Sequence, residues 1–373
     1  MDKGVISLLS QLQTEGERKI FWVIQKHDGI SRTEIAELTG LTSSAVTQIV
    51  KRLIEMDLVA ETETPNTRSV GRNRINVVVS GHQYCSLGIV MRRWDVQWVV
   101  TRLDGQLLYT TETLLTGSAR ENVAATLTQV NGWLSQSGRE LVSVGIGIPT
   151  FATKSIPIPE FLDSVREQWQ VPYVTSSNAC YAAFAEERTV VDSSPHSFLY
   201  VFAGGGIGGA VVRRRPLGEL PDIHVVEAGH VGIDPQGEPC ICGNRGCVEL
   251  SASPIALARA AGIRSLSPTK NELCRVPESL TVKATQDFTY GLTSIANVLD
   301  VSDVILGGYD EPVLRHLYGR LPQLMNGHIT PSGEPLFIRF SNLGLQAAAV
   351  GAAVGAIHGF GVPVSTPLVA NQH

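Results

Sequence analysis

Long apolar runs are missing from this sequence of 373 residues. No stretch reaches the ~18 consecutive apolar residues of a membrane-spanning helix. The first residues also lack the apolar core and small-residue cleavage site of a secretory signal. We therefore predict a cytoplasmic protein without a membrane span. An excess of positive charge is missing too: the formal net charge is −5, so any contact with nucleic acid has to come from a local basic patch.

Cysteine is scarce as well, with six residues in the chain, and three of them fall between positions 240 and 247. Thiols stay reduced in the cytoplasm, where clustered cysteines are more often metal ligands than disulfides. The hydrophobic fraction of 43% beside a charged fraction of 17% is typical of a folded globular chain. A length of 373 residues predicts two or three domains.

Residues 1–78 predict a winged helix-turn-helix domain. Apolar residues at helical spacing indicate one helix over 18–27 and a second that Ser31 caps and Gly40 ends. A third helix begins at Thr42 or Ser43 after a tight turn, and two strands around a polar loop follow as a wing. A small helical bundle without a ligand is the alternative interpretation.

The polar side chains of this domain favour operator DNA as a partner. The exposed face of the third helix carries small or hydrogen-bonding side chains, which suit base edges and phosphates in a major groove. The wing adds two arginines that suit a minor groove or phosphates. The predicted DNA-binding residues are Thr42, Ser43, Ser44, Thr47, Gln48, Lys51, Arg72 and Arg74. A wing that is merely solvated is the alternative.

From residue 79 onward, strand-like and helix-like segments alternate, which predicts an α/β architecture. The predicted strands cover 84–91, 96–103, 141–149, 301–310 and two segments around the glycine-rich turn within 196–214, and a turn is predicted over 103–108. The predicted helices cover 121–136, 177–190, 288–300 and 343–360.

The cysteine cluster predicts a zinc site. Structural zinc is tetrahedral and accepts thiolate and imidazole ligands. His230, Cys240, Cys242 and Cys247 supply four of these, and glycines at 243 and 246 let the loop turn back on itself. The cofactor predicted from these residues is therefore Zn²⁺ in a closed, non-catalytic site. A cluster of free thiols is the alternative.

The block G-H-x₉-C-x-C-G-x-x-G-C-x-E, which ends at Glu249, resembles the ROK family of sugar kinases and repressors. With the winged helix in front, the whole chain resembles a ROK transcriptional repressor. The resemblance implies a two-lobed, actin-like α/β domain: one lobe over 79–195 completed by the helix 343–360, and a second over 196–342. It also implies a sugar in the cleft, contacted by Glu227, His230, Glu249 and Asn178. Alternatively, the two glutamates only orient the metal ligand.

The kinase features of the family are degraded in this sequence. Val90, Arg92 and Trp94 stand where the family has the Asp, Gly and Thr of its phosphate signature. Asn178 stands at the catalytic aspartate and cannot accept a proton as a carboxylate does. We therefore predict that the domain is not an enzyme. Arg92 and Arg93 are candidates for binding an anion near the cleft.

The resulting hypothesis is a DNA-binding regulator of sugar-related genes, namely a repressor, controlled by a sugar or sugar phosphate. Proteins of this class usually bind pseudo-palindromes as symmetric assemblies, so a homodimer or homotetramer is expected. Two alternatives stay open. One is a sugar kinase with an appended DNA-binding domain, and the other is a repressor whose zinc loop binds a protein partner.

Overall fold

The structure is a computed structural model that describes residues 12, 14–64, 74–92, 95–150, 158–189, 197–216, 219–265 and 267–361, with the backbone alone at 64, 74 and 119. Arg72, Arg93 and Trp94 therefore lie outside the described residues. No helix within the described part of the chain is both long and apolar enough to cross a bilayer.

Three helices form the N-terminal head: α1 (Glu15–Lys26), α2 (Arg32–Thr39) and α3 (Ser43–Glu55). Helix α1 begins earlier than the apolar pattern predicts, because Thr14 and Glu17 form a reciprocal capping box that satisfies the first free amides. Ser31 and Glu34 form the same box on α2, and Gly40 ends α2 in the left-handed region at φ 70°. The predicted order of three helices and a wing is confirmed for the described residues.

The wing consists of strands β1 (Val59–Thr64) and β2 (Arg74–Val79), which pair antiparallel. The sequence prediction missed a further contact: Ile30, between α1 and α2, forms a bridge with Val77. The loop between the two strands, including Arg72, is outside the described residues. The segment 80–83 that leaves the wing is tied down, because Asp57 accepts hydrogen bonds from Ser80 Oγ at 3.4 Å and Gln83 Nε2 at 2.7 Å.

Two five-stranded sheets follow. The strands of the first have the order β5-β4-β3-β6-β7, and those of the second have the order β10-β9-β8-β11-β12. The first sheet comprises β3 (Tyr84–Met91), β4 (Asp95–Thr101), β5 (Leu107–Leu114), β6 (Glu140–Ile148) and β7 (Tyr173–Ser177). The second comprises β8 (Phe198–Ala203), β9 (Ile207–Arg213), β10 (Asp222–Val226), β11 (Asp303–Gly308) and β12 (Phe337–Phe340).

Helices cover both sheets. In chain order they are α4 (Ala119–Ser137), α5 (Ile158–Trp169), α6 (Asn178–Thr189), α7 (Val248–Ala252), α8 (Pro254–Ala260), α9 (Lys270–Leu273), α10 (Glu278–Leu299), α11 (Glu311–Tyr318), α12 (Leu321–Met325) and α13 (Ala347–Ile357). Two sequence predictions were wrong in detail. The segment predicted as a turn runs directly into β5, and α10 begins at Glu278 rather than at 288.

Helices α6 and α13 lie between the sheets and join them. Helix α13 consists mostly of alanine and glycine. It approaches the first sheet at Gly88 and Gly145, where an added Cβ would lie 1.9 Å and 2.0 Å from backbone oxygens of α13. Gly351 of α13 meets α6 in the same way, at Tyr181. Helix α6 also packs on β9 of the second sheet. Because α6 contacts both sheets, its packing does not assign it to one lobe. The predicted division of the chain at residue 195 stays a prediction.

Candidate functional site

The loop between β10 and α7 brings the four predicted metal ligands together. Cys240 Sγ lies 3.4 Å from His230 Nδ1, and Cys242 Sγ lies 3.6 Å from Cys247 Sγ. The ligand atoms of all four residues lie within 4.8 Å of one another. Bridges between Gly232 and Cys247 and between Pro239 and Arg245 hold the loop in this shape. Gly246, at φ 55°, has no room for a Cβ beside Asp234.

This arrangement fits zinc. Tetrahedral zinc with ordinary bond lengths separates two thiolates by about 3.8 Å and a thiolate from an imidazole nitrogen by about 3.6 Å. Burial raises the pKa of the Cys242 thiol, but hydrogen bonding by the Asn244 backbone and the neighbouring thiols outweighs it and the pKa lies below its usual range. Burial raises the pKa of the Cys240 and Cys247 thiols instead, so the surroundings of the loop favour the thiolate at Cys242 alone. Zinc itself stays a prediction.

The two predicted sugar-binding glutamates flank the imidazole of His230 on opposite edges. Glu227 Oε2 lies 4.0 Å from Nε2 and Glu249 Oε1 lies 4.0 Å from Nδ1, and both distances are too long for a hydrogen bond. Glu249 Oε2 instead accepts a hydrogen bond from the Ile207 amide at 3.3 Å, and Glu227 Oε1 is buried without a protein partner. The carboxylates are therefore placed beside the metal ligand rather than bonded to it.

Asn178 is the first residue of α6 and follows directly on the end of β7. Its amide nitrogen donates to the Met91 carbonyl at 2.8 Å, while its Oδ1 is buried without a protein partner. The next residue, Ala179, packs against Gly208 at the start of β9, and Glu249 packs against Gly206 beside it. The start of β9 thus lies next to both α6 and the zinc loop, and Asn178 and Glu227 each have a buried oxygen without a protein partner.

The predicted anion site is contradicted at Arg92, while Arg93 lies outside the described residues. The guanidinium of Arg92 is only 16% exposed and pairs with Glu112 at 2.8 Å and with Asp95. Burial opposes the charge of Arg92, yet the two carboxylates outweigh this and raise its pKa. Because both carboxylates already neutralise it, Arg92 has no charge left for an anion. The cluster lines a small cavity between the lobes together with Gly204, Gly205 and Tyr309.

The glycine pair at 307–308 has a packing role in this structure. A Cβ on Gly308, where φ is 119°, would lie 2.0 Å from the Ala203 carbonyl oxygen of β8. A Cβ on Gly307 would lie 2.0 Å from the Tyr200 hydroxyl. The close packing of β11 against β8 therefore requires glycine at both positions.

The candidate nucleic-acid interface is the outer face of α3. All six of its predicted DNA-binding residues are exposed: Thr42, Ser43, Ser44, Thr47, Gln48 and Lys51. Some of them also serve the helix itself. Thr42 Oγ1 accepts from the Ala45 amide at 3.3 Å, and Thr47 Oγ1 donates to the Ser43 carbonyl at 2.8 Å. Lys51 lies 3.8 Å from Glu55, an exposed pair that is worth little.

The other two predicted DNA-binding residues belong to the wing. Arg74 begins β2 opposite Thr64, but its side chain is not described, and Arg72 lies outside the described residues. Acidic residues beside the basic residues of the head form ion pairs with them. Arg32 Nη2 lies 2.9 Å from Glu61 and Arg52 Nη1 lies 2.7 Å from Glu17. These ion pairs tie α2 to the wing and α3 to α1.

Sequence reasoning missed a group of buried residues where the head meets the rest of the chain. Lys26 and Glu187 form an ion pair at 2.8 Å with their side chains 4% and 6% exposed. Glu186, its neighbour on α6, binds Arg339 at 2.7 Å and Ser341 at 2.6 Å. The one signal in the sequence is the pair of acids at 186–187, which directly follows the apolar helix segment 179–185.

Comparisons with known proteins agree with this architecture. The model of the ROK family matches residues 86–358, and a model described as winged helix-turn-helix DNA-binding matches residues 17–60. The Xylose repressor of Bacillus subtilis (strain 168) is 27% identical over 304 residues, which cover 76% of this chain and 79% of the relative. The DNA-binding transcriptional dual regulator NagC of Escherichia coli (strain K12) is 23% identical, with 68% of this chain and 65% of the relative covered.

Two solved structures share the fold. A ROK family transcriptional regulator described as a homologue of the E. coli MLC protein has a TM-score of 0.67 at 18% identity and covers 94% of this chain and 97% of its own. A ROK family glucokinase from Streptomyces griseus, in complex with glucose and AMPPNP, has a TM-score of 0.57 at 23% identity and covers 73% of this chain and 99% of its own. The predicted fold class, a winged helix-turn-helix followed by a two-lobed α/β domain, is confirmed.

Proposed function

The chain belongs to the ROK family, and we propose that it is a transcriptional repressor of sugar-related genes whose ROK domain binds a sugar or sugar phosphate without phosphorylating it. The observation that carries the proposal is the union of a winged helix-turn-helix head with a cleft that presents carboxylate, imidazole and amide groups. Relatives named Xylose repressor and N-acetylglucosamine repressor support it. A protein that acts on operator DNA would work in the cytoplasm.

In the head, α3 would enter a major groove. Gln48 exposes an amide that can bind adenine with two hydrogen bonds, while Ser43 and Ser44 stand at the helix N-terminus, which favours phosphate. Arg72 and Arg74 would reach the adjacent backbone or minor groove. Operators of such proteins usually have two half-sites, so we propose a homodimer or homotetramer.

The test is selection of duplexes from a random library by the full chain at low salt, where phosphate contacts are strongest. With the enriched duplex, Gln48→Ala is expected to weaken binding by about tenfold, the effect of losing one two-bond base contact. Gln136→Ala, on the exposed face of α4, is the matched control and should bind as wild type. If the full chain enriches no duplex, the proposal is wrong.

In the cleft, Glu227, Glu249 and Asn178 would bind sugar hydroxyls, because carboxylates accept hydrogen bonds and an amide both donates and accepts. Zinc bound by His230 and the three cysteines would fix the loop and so pre-position these side chains. His230 would bind the metal through Nδ1, which faces Cys240, and turn Nε2 toward Glu227. A ligand would change the angle between the lobes and with it the spacing of two heads on DNA.

Absence of phosphoryl transfer is part of the proposal. Arg92 is held by Asp95 and Glu112 at the phosphate side, and Asn178 has no carboxylate to act as a base. A coupled ADP-release assay over a panel of hexoses, pentoses and N-acetylated sugars should show no turnover. Turnover that disappears in Asn178→Ala would instead identify a sugar kinase.

A protein partner is a second candidate for the regulator, because the tip of the zinc loop exposes Ile241, which is 61% accessible between two ligand cysteines. An exposed isoleucine suits a protein contact better than a sugar. A partner bound there should be lost from pull-downs with Ile241→Ser, a variant that keeps all four ligands. Retention in Ile241→Ser together with loss in Cys242→Ser would place the contact elsewhere on the folded loop.

A further inference from the structure

The head shares its hydrophobic core with the ROK domain. Leu103, Val142 and Ile357 pack in the same buried cluster as the apolar residues of α1, α2 and α3. In the other direction, Trp22 of α1 belongs to the cluster built by α6 and α13. Its ring stacks on Phe184 of α6 at 5.4 Å and meets His358 edge-on at 4.6 Å. The head is therefore seated on α6 and on the end of α13.

Buried polar contacts fix the position of the head on α6 and α13. Lys26 of α1 pairs with Glu187 of α6 at 2.8 Å, and Arg214, just beyond β9, lies 3.6 Å from the same carboxylate oxygen. His358 binds Gln25 at 2.7 Å, and Gln25 donates to the Leu103 carbonyl. A buried ion pair adds little to stability, but removing one partner leaves an uncompensated charge. Such a pair therefore selects one alignment of α1 on α6 rather than merely strengthening the contact.

The same helix begins at the cleft. Asn178 is the first residue of α6, and its amide nitrogen ties the helix to the end of β3. Twelve residues of helix span about 18 Å, so α6 reaches from the cleft to the head as one rigid element. Its flank is fixed by α13, where Gly351 leaves no space for a side chain beside Tyr181.

We propose that α6 transmits the state of the cleft to the head. The change begins at Asn178, at the N-terminal end of α6 (the input), and it alters the contacts among Trp22, Lys26, Glu187 and His358 at the other end. A change at Asn178 moves α6 along or about its axis. The Lys26–Glu187 ion pair is buried and cannot stretch to follow this movement. The head therefore gives up this ion pair and takes another alignment on α6. This inference rests on the proposed function only in assigning the head to DNA.

The experiment measures hydrogen–deuterium exchange of the full chain by mass spectrometry, with peptides from α1 as the reporter and peptides from α10 as the reference. Asn178→Ala removes the bond to Met91 and perturbs the input without any ligand. Exchange in α1 is expected to rise by roughly three- to tenfold, the effect of one buried hydrogen bond, while exchange in α10 stays unchanged.

The Lys26–Glu187 ion pair, called the junction below, is then removed by Lys26→Met with Glu187→Met. This double substitution deletes both charges and keeps apolar volume. In that background, Asn178→Ala should add less than about a twofold change in α1, since the connection is gone. The matched control is Glu311→Met with Arg315→Met, an ion pair at 2.6 Å on α11 with its arginine 60% exposed. It should leave the full response in place. Lys26→Gln with Glu187→Gln, which keeps polar side chains of similar length and leaves neither partner charged, guards against misfolding of the double variant and should also reduce the response.

An unchanged α1 in Asn178→Ala, or an equal response with and without the junction, overturns the inference. No DNA or effector enters this measurement. A chain that shows the coupling but enriches no duplex would therefore refute the proposed function alone, and a chain that binds DNA without the coupling would refute only the role of α6.

Discussion

Asn178 combines two properties that decide how its position works. Its amide nitrogen is used to hold the Met91 carbonyl, and its buried Oδ1 has no protein partner. Leaving a buried acceptor unpaired costs on the order of 1–3 kcal/mol, which a ligand hydroxyl would recover. An amide can bind that hydroxyl but cannot remove its proton. The residue therefore suits a position that recognises a sugar without activating it.

The metal loop can be tested at the same scale. Cys242→Ser should lower the zinc content of purified protein from about one ion per chain to well below half, since structural zinc needs its full ligand set. The melting temperature should fall by several degrees. Elemental analysis and calorimetry measure both effects.

Cys274→Ser is the control for that variant, because Cys274 is an exposed thiol outside the cluster. It should keep both zinc and melting temperature. Wild-type protein purified without metal, or Cys242→Ser with undiminished zinc, would contradict the assignment of the loop as a zinc site.

At the scale of elements, contact between α13 and the first sheet depends on missing side chains. Gly88 and Gly145 let the helix backbone lie against β3 and β6, and Gly351 does the same between α13 and α6. Small residues on α13 thus hold three elements at close distance. The sequence signals the helix by its run of alanine and glycine, but it does not show which glycine faces the sheet.

Gly145→Ala should destabilise the protein by about 2–3 kcal/mol, because the added methyl would lie 2.0 Å from the Ala352 carbonyl and backbone cannot yield cheaply. Chemical denaturation measures this change. Gly132→Ala in α4 is the matched control, since nothing lies within 4 Å of its Cβ position. It should stabilise the protein by about 0.5–1 kcal/mol. Equal effects at the two sites would show that α13 does not lie against β6 in this way.

The success of the sequence predictions depended on how many positions along the chain separate the interacting residues. Capping residues at 31 and 40 predicted α2 correctly, since a cap acts on its own helix. The partners of Arg92 include Asp95, only three residues away, and this near signal was overlooked. Lys26 and Glu187 are separated by 161 positions, and no local pattern reveals such a pair. The four metal ligands were readable because they lie within one loop.

On the scale of the whole molecule, head and ROK domain are not independent bodies joined by a tether. The segment 80–83 is bonded to Asp57, and the interface contains an aromatic cluster and buried polar residues. His358 lies in this interface with only 8% of its surface exposed, and this burial lowers its pKa to about 3. The neutral imidazole is thus built into the contact between the two parts.

This burial predicts a pH dependence of stability. The folded pKa of His358, about 3, lies below its ordinary value of 6.5, so the unfolded chain binds the proton more readily. The free energy of unfolding should therefore fall as pH decreases from about 6.5 toward 3, by on the order of 1 kcal/mol per pH unit. His358→Gln should have a shallower slope over this range. Identical slopes in calorimetry for the two proteins would contradict a neutral, buried His358.

The contacts of Trp22 and Lys26 with α6 limit how the domains of such proteins can be recombined. A chimera that is cut at the end of the wing and given a foreign head would present new residues to a surface shaped for Trp22 and Lys26. Glu187 would then lose Lys26 and keep only its longer contact with Arg214 beneath a helix that does not fit. Successful grafts should be those that transplant the outer wing and α3 while retaining the native first helix as an adapter.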